Sequence, residues 1–280
     1  MWSRRQFVTQ AAAAGGLTLA ALQAQAQAPA PGSVLERVRR SQVLRVAALP
    51  GEAPYFNKDI VSGQWSGMCV AMANDIATLL GAKIEYLEST YGNSVLDLQA
   101  DKIDLAFALN PTPVRALVID FTPPFYLHGF GMVGRKGFAA SEWGELDKPE
   151  VRIAIETGAT SEIATRRFAG HATITSYKMR DDCVLAVQSG RADCWACAAN
   201  LGLTAVKKNP ALGQFHMLHK PRVQLPVCIG VRLEEDRTWR DFLTAWIDYN
   251  RGIQQVREWL YAGLAINGVM PEDIPVDVEL

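Results

Sequence analysis

Short apolar segments alternate with amphipathic segments along most of this chain, and this alternation constrains the fold more than any other feature of the sequence. The first series has apolar segments at 44–49, 83–87 and 103–109, separated by helical patterns at 68–81 and 94–100. Strands that are separated by helices predict a mostly parallel β-sheet covered by helices on both faces. The sequence therefore predicts an α/β fold.

A second series of the same kind starts near residue 131. Its strands are expected at 151–156, 173–177 and 192–198, and its helices at 161–169 and 181–190. Two extended segments, 124–137 and 221–232, look like crossings between the two series. Two crossings would return the C-terminal helices to the first lobe. We predict two lobes, 33–130 plus 225–280 and 131–224, joined by two crossing strands with a cleft at the hinge.

The N-terminal segment has the pattern of an export signal. Arg4 and Arg5 precede an apolar run at 11–24 and a stretch of small residues suited to cleavage. The run is too short to span a bilayer core of ~30 Å. We predict a signal peptide over 1–26 of the twin-arginine type, with an ordinary Sec signal as the alternative and cleavage after Ala26 or, as second choice, Ala28. The expected location is the periplasm.

Charge and cysteine content exclude several classes of function. The formal net charge is −1, which gives no electrostatic argument for binding nucleic acid. Five cysteines permit one or two bridges and leave at least one thiol, and the pair in the motif CWAC (194–197) has redox spacing. That motif lies in an apolar run, which favours a buried strand over a redox site. There is no second CxxC and no histidine cluster, so we predict no metal and no cofactor.

The segment 109–121, LNPTPVRALVIDF, contains the most informative candidate for a binding residue. Thr112 and Pro113 have the pattern of an N-cap and a first helical residue, which puts Arg115 in the first turn of a helix. The helix dipole disfavours a cation there. A bound carboxylate would offset that penalty, because free N–H groups and a guanidinium can both hold an anion.

A similar helix start follows the first predicted strand of the second series. Gly158 predicts a turn, and Thr160 and Ser161 begin the helix after it. Ligands of open α/β sheets bind beyond the carboxyl ends of the strands, so closure could bring both helix starts onto one carboxylate. The alternative is that Arg115 is a surface residue paired with Asp120 or Glu52, and that Thr160 only caps a helix.

These motifs occur in an order that resembles the family 3 periplasmic solute-binding proteins, which deliver polar amino acids and related compounds to ABC importers. The resemblance runs from about 43 to 260. It rests on five blocks, 63–86, 98–126, 151–162, 189–201 and 229–232, of which the second, with Thr-Pro-x-Arg followed by Asp-Phe-x-x-Pro-Phe-Tyr, is the most specific. The resemblance implies the type II periplasmic binding protein fold, an ABC permease as partner and a monomer.

The resemblance also implies roles for individual residues. Arg115 matches the arginine that holds the ligand carboxylate, and Thr160 matches a contact from the second lobe. Tyr91 falls where an aromatic ring covers the ligand, and Asn110 where a hydroxyl residue contacts it. With Ser161, these residues form the core of the predicted site.

The chain departs from the family pattern at two places. The aspartate that pairs with the ligand ammonium is replaced by Ala198, and Glu52, followed by Tyr55 and Phe56, stands where relatives have an aromatic residue. An ammonium without a counter-charge would cost several kcal/mol. Either Glu52 replaces the lost acid from the opposite lobe, or the ligand has no α-ammonium. The second alternative is favoured because a relocated acid must reproduce the geometry.

Three functions fit this interpretation. The first is a binding protein that closes around a small carboxylate and serves an importer. The second is a lyase of the cyclohexadienyl dehydratase type on the same scaffold, against which the missing cleft carboxylate argues. The third is a ligand sensor for a receptor, which sequence does not separate from transport. We predict the first, without enzymatic activity.

Overall fold

The computed structural model describes residues 32–278, so the predicted signal peptide lies outside the described residues. This part of the chain is a mixed α/β structure. None of its helices is both long enough and apolar enough to cross a membrane.

Residues 32–278 contain ten α-helices and a short 3-10 helix at Pro271–Asp273. The α-helices are, in chain order, α1 (Val34–Ser41), α2 (Met68–Leu80), α3 (Tyr91–Gln99), α4 (Pro113–Ala116), α5 (Trp143–Leu146), α6 (Thr160–Phe168), α7 (Arg180–Gln188), α8 (Ala199–Lys208), α9 (Thr238–Gly252) and α10 (Gln255–Ile266).

The same residues form twelve strands. They are, in chain order, β1 (Val43–Ala48), β2 (Asn57–Lys58), β3 (Trp65–Ser66), β4 (Lys83–Glu88), β5 (Ala106–Leu109), β6 (Ile119–Phe121), β7 (Tyr126–Arg135), β8 (Arg152–Glu156), β9 (Thr173–Tyr177), β10 (Cys194–Ala198), β11 (Leu212–Met217) and β12 (Gln224–Arg232).

The first series forms as predicted. β1 and β4 pair in parallel, and a bridge between Val46 and Leu105 connects β1 to the segment before β5. In α2 the buried residues Cys69, Met72 and Ile76 recur at helical spacing, and the left-handed Gly81 ends the helix. The C-terminal helices return to this part of the molecule, because α10 packs on α2 and α9 packs on α1.

Helix α3 begins three residues earlier than the pattern at 94–100 predicts. Thr90 is its N-cap, and the Thr90 hydroxyl accepts a 3.2 Å hydrogen bond from the Asn93 backbone N–H. A cap of this kind satisfies a donor that would otherwise be unpaired at the helix start. Tyr91 therefore lies at the first position of the helix, next to the end of β4.

The second series also forms as predicted. β8 pairs in parallel with both β9 and β10, and helices α6 and α7 pack against these strands. Cys194 and Cys197 are buried in β10, which agrees with a buried strand. All five cysteines are buried and none forms a disulfide.

The two predicted crossings are the long strands β7 and β12. They pair with each other antiparallel, 126–129 against 224–227, because they carry the chain in opposite directions. Beyond this pairing, β7 continues along β10 and β11, while β12 continues along β5 and β6. These crossings add antiparallel pairs, so the sheet is mixed, and the prediction of a mostly parallel sheet holds only within each series.

The molecule thus has two lobes, each with its own strands and covering helices, connected through β7 and β12. The predicted lobe limits, 130/131 and 224/225, fall within these two strands and stay predictions. Strand β11 and helix α8 were not predicted from the sequence. α8 packs against β7 and β11, and a Cβ atom at Gly202 would come within 2.4 Å of the Phe215 ring, so these elements require close contact.

Candidate functional site

A small cavity of about 30 Å³ lies where the carboxyl ends of β5, β8 and β10 meet the crossing strand β7. Side chains from α3, α4 and the start of α6 complete its walls. Five of the seven predicted ligand-binding residues line it: Arg115, Thr160, Asn110, Tyr91 and Ser161. The cavity therefore joins both of the helix starts that the sequence singled out.

Arg115 lies in the first turn of α4, as its local sequence predicts. Thr112 is the N-cap, and its hydroxyl accepts a 3.3 Å hydrogen bond from the Arg115 backbone N–H. The Arg115 guanidinium donates to the carbonyl of Asn110 at 3.1 Å and to the carbonyl of Gly158 at 2.8 Å. The second bond connects α4 to the turn before α6.

No carboxylate within residues 32–278 lies within 4.0 Å of the Arg115 guanidinium. Asp120 is 3.8 Å from Arg240, and Glu52 is 3.8 Å from Arg180, so neither forms the surface pair considered as an alternative. Burial lowers the pKa of Arg115 from its ordinary value. The side chain is a desolvated cation at the cavity wall whose hydrogen bonds go only to neutral carbonyls.

Asn110 and Thr160 contact each other across the cavity wall. The Thr160 hydroxyl donates to the Asn110 side-chain carbonyl. The Asn110 amide donates to the Pro226 carbonyl at 2.6 Å, and its nitrogen is 3.1 Å from Nε2 of His128. Asn110 follows β5 and Thr160 begins α6, so this chain of contacts connects two strand ends with the crossing strands.

Gly158 shapes the turn that presents Thr160. Its φ is +82°, a left-handed conformation that costs a glycine little and most other residues considerably more. This geometry turns the chain from the end of β8 into α6, and the Gly158 carbonyl accepts the hydrogen bond from Arg115. The turn predicted from the sequence therefore has a direct role in the contact between the two helix starts.

Glu156 is a cavity residue that the sequence interpretation did not include. It is the last residue of β8, it is 7% exposed, and it is the only carboxyl group among the described residues that line the cavity. No hydrogen bond to its carboxyl is found within residues 32–278. Burial, reinforced by the charge of nearby Glu52, raises the pKa of Glu156 to about 9.

Glu52 and Tyr55 do not line the cavity. Glu52 accepts a 2.8 Å hydrogen bond from the Tyr91 hydroxyl, and burial raises its pKa above the ordinary value. The Arg180 guanidinium, from α7, lies 3.8 Å from Glu52 and donates to the Ala53 carbonyl at 2.8 Å. Tyr55 is buried, with its hydroxyl hydrogen-bonded to that of Tyr126. These contacts position Tyr91 and connect the first loop, residues 49–56 between β1 and β2, to α7.

His128 and Trp195 contribute unpaired polar atoms to the cavity region. Nδ1 of His128 and Nε1 of Trp195 are buried without a hydrogen-bond partner in the described part of the chain. Burial lowers the pKa of His128 to about 3, so its ring is neutral at physiological pH. Ala198 also lines the cavity, next to Cys197. The described residues contain no group of ligands suited to a metal ion.

The signal for Glu156 was present in the sequence. It is a charged residue at the end of an otherwise apolar strand, directly before the turn at Gly158. The rule that drew attention to Arg115, a charged side chain beyond a strand end, applies to Glu156 as well. Trp195 carried no such signal, because a tryptophan in an apolar strand is typical of a core.

Comparison with known proteins agrees with this architecture. One relative is a probable amino-acid ABC transporter periplasmic-binding protein from Sinorhizobium fredii, 28% identical over 182 residues, 62% of this chain and 60% of the relative. Another is a cyclohexadienyl dehydratase from Pseudomonas aeruginosa, 29% identical over 151 residues, 52% of this chain and 55% of the relative.

Among solved structures, the chain is similar to the ancestral amino acid-binding protein AncCDT-1, described as a precursor of cyclohexadienyl dehydratase. The identity is 25% and the TM-score 0.73, with 82% of this chain and 98% of the other covered. The matches to the curated relatives span only 38% to 66% of those proteins' own lengths.

A family match covers most of the described residues. Residues 44–265 match the bacterial extracellular solute-binding proteins of family 3. The match contains all but the first residue of β1, the segment with Arg115, both crossing strands, α9 and all but the last residue of α10. The chain belongs to the bacterial extracellular solute-binding proteins of family 3.

Proposed function

We propose that this protein captures a small carboxylate ligand, an amino acid or a related organic acid, in the cavity between its lobes and presents the closed form to an ABC importer. The observation that carries the proposal is Arg115, a half-buried cation at a cavity wall with no carboxylate partner among residues 32–278. A guanidinium in that setting is suited to bidentate recognition of a carboxylate.

Contacts from both lobes support closure as the binding event. Arg115 precedes the crossing strands and bonds to Gly158, and Asn110 bonds to Thr160. A ligand that touches both helix starts binds the closed form better than the open form, so it shifts the population toward closure. Thr160, Ser161, Asn110 and Tyr91 would then contact or enclose the bound molecule, while Glu52 and Tyr55 support Tyr91 and the first loop.

The remaining parts of the proposal follow from the family. Its members are extracellular, and the relative from S. fredii is named as a component of an ABC transporter. We infer a periplasmic monomer that is exported by the predicted signal peptide and docks on a permease. A receptor in place of a permease would make the same site a sensor, and the gene neighbourhood would distinguish these partners.

Native mass spectrometry of the purified protein, followed by a thermal-shift screen of amino acids, keto acids and aromatic acids, tests this function. A ligand at 100 times its Kd stabilises the folded state by about 2.7 kcal/mol. For a chain of this size that corresponds to a rise in Tm of roughly 5 to 10 °C. If no carboxylate raises the Tm and none copurifies, the proposed function is wrong.

A dehydratase is the second candidate, and Glu156 is the observation that favours it. The argument against a lyase was the absence of a carboxyl group from the cleft, and Glu156 now supplies one that is protonated at neutral pH, as a general acid must be. Incubation with prephenate tests this candidate. Product formation that disappears in Glu156→Gln would establish an enzyme; we expect none.

A further inference from the structure

The cavity contains one positive and one potentially negative side chain. Of the described residues that line it, Arg115 is the only arginine or lysine and Glu156 is the only carboxyl group. Arg115 extends from α4, which follows β5, and Glu156 ends β8. The two groups therefore enter the cavity from different strand ends.

The Glu156 carboxyl has no hydrogen-bond partner in the described part of the chain. It is 7% exposed and makes no hydrogen bond within residues 32–278. Arg180 is near enough to act on it through space, but the contacts of Arg180 go to the Ala53 carbonyl and to Glu52. A buried polar group without a partner costs free energy, and a partner supplied by a ligand removes that cost.

We propose that Glu156 selects ligands that carry a cationic nitrogen in addition to the carboxylate held by Arg115, so that the cavity takes a zwitterion. The inference rests on the proposed function, because Arg115 supplies the other half of the recognition. Glu156 would take the place of the acid that is missing at Ala198, but from the end of β8 and not from the end of β10.

The aromatic side chains that line the cavity also favour binding of a cationic nitrogen. Tyr91, Phe130 and Trp195 line it, and aromatic faces attract cations, more strongly when water is excluded. A ligand with a carboxylate alone would leave the Glu156 carboxyl without a hydrogen-bond partner.

Release of the Glu156 proton on ligand binding can be measured as well as the affinity. The groups that act on Glu156 are Glu52, Arg180 and Asp181, and burial is the largest effect. Since its pKa is about 9, the carboxyl is protonated at pH 7 before binding. An ammonium partner favours the carboxylate, so the O–H bond breaks on binding and the proton goes to the buffer. Neutral Glu156→Gln has no proton to release.

The test compares ligands that differ only in the amino group. Each standard L-amino acid is paired with the carboxylic acid that lacks its α-amino group, and 4-aminobutyrate is paired with butyrate. Isothermal titration calorimetry of the pair with the largest thermal shift gives a ratio of affinities for the wild type, Glu156→Gln and the control Glu150→Gln. Glu150 is exposed and does not line the cavity.

We expect the wild type and Glu150→Gln to bind the amino compound at least tenfold more tightly than its analogue, and Glu156→Gln to reduce this ratio at least tenfold. Titrations at pH 7 in phosphate and in Tris should show proton release for the wild type and none for Glu156→Gln. A ratio that does not change in Glu156→Gln, or a wild type that prefers the analogue, overturns the inference.

A third variant separates failure of this inference from failure of the proposed function. Arg115→Ala should weaken both members of the pair, because each has the carboxylate. If it does and Glu156→Gln leaves the ratio unchanged, the carboxylate site stands and the selection by Glu156 is wrong. If no carboxylate binds the wild type, both proposals are wrong.

The double variant Glu156→Gln, Ala198→Asp should restore the preference for the amino compound. Failure to restore it counts against placing the ligand nitrogen between these two positions.

Discussion

The guanidinium of Arg115 lies 2.8 Å from the carbonyl oxygen of Gly158, so the first turn of α4 is bonded to the turn that precedes α6. With the bond to the Asn110 carbonyl, this contact uses two of the five N–H donors of the side chain. A ligand carboxylate therefore either takes the remaining donors or replaces the Gly158 carbonyl. In the first case Arg115, which we propose binds the ligand, keeps its hydrogen bond to the turn before α6.

The crossing strand β7 depends on a glycine at 131. A Cβ atom at this position would lie 2.2 Å from the His216 carbonyl oxygen and 2.5 Å from the Phe215 ring. Gly131→Ala forces β11 away from β7, and overpacking of this kind costs about 1 to 3 kcal/mol. We expect the free energy of unfolding, measured with urea, to fall by that amount.

Gly144→Ala is the matched control, because no atom lies within 4 Å of the Cβ position at Gly144 in α5. Alanine is favoured over glycine in a helix, so this variant should be as stable as the wild type or slightly more stable. Equal stabilities for the two variants would contradict the close contact of β7 with β11.

Arg180 stabilises the junction between α7 and the first loop. Its side chain is buried, it donates to the Ala53 carbonyl, and it is the cation nearest to the buried Glu52. Arg180→Met leaves both groups without that partner, and the loss of a hydrogen bond to a charged group costs about 1.5 to 3 kcal/mol. The urea midpoint should fall accordingly, with the slope unchanged.

The exposed Arg191 supplies the comparison for that variant, since Arg191→Met removes the same charge from the surface. We expect its urea midpoint to stay within the error of the wild-type value. If Arg180→Met also left the urea midpoint unchanged, the contacts of Arg180 with Ala53 and Glu52 would contribute nothing to stability.

The stability of the ligand-free protein should depend on the protonation of Glu156. Its pKa is about 9 in the folded chain and near 4.5 in the unfolded chain. Between these values the folded state binds more protons, so the stabilising contribution of the protonated group is complete below pH 4.5 and is lost as the pH rises to about 9. The variant Glu156→Gln should not lose stability in this way, because glutamine does not titrate.

Urea unfolding at pH 5, 7 and 9 measures this effect. The difference in unfolding free energy between Glu156→Gln and the wild type should increase with pH in favour of the variant. Because Glu52 is present in both proteins, its own titration contributes to both profiles. Parallel profiles would show that Glu156 titrates normally in the folded protein.

Local sequence signals were sufficient to place Arg115 in the first turn of a helix. Thr112 and Pro113 define the helix start, and caps depend only on neighbouring residues. The crossing strands were likewise visible as long extended segments after each series. Their antiparallel pairing, in contrast, follows from the opposite directions in which they run between the lobes.

Contacts between distant segments could not be predicted from the sequence. Tyr91 and Glu52 are 39 positions apart, and Arg180 and Ala53 are 127 positions apart. These pairs form only when α3, α7 and the first loop pack together. With Ala198 in place of the expected acid, the sequence interpretation favoured a ligand without an α-ammonium, because a relocated acid must reproduce the geometry. The position of Glu156 in the cavity is the reason that we propose a ligand with an ammonium.

The most direct test of the central claim is calorimetric titration of the wild type and Arg115→Ala with the carboxylate that gives the largest thermal shift. We predict at least tenfold weaker binding by Arg115→Ala, since a lost charged hydrogen-bond partner costs ~1.5 to 3 kcal/mol, with the Tm of the ligand-free variant within a few degrees of the wild-type value. Equal affinities for the two proteins would contradict the claim that Arg115 holds the carboxylate.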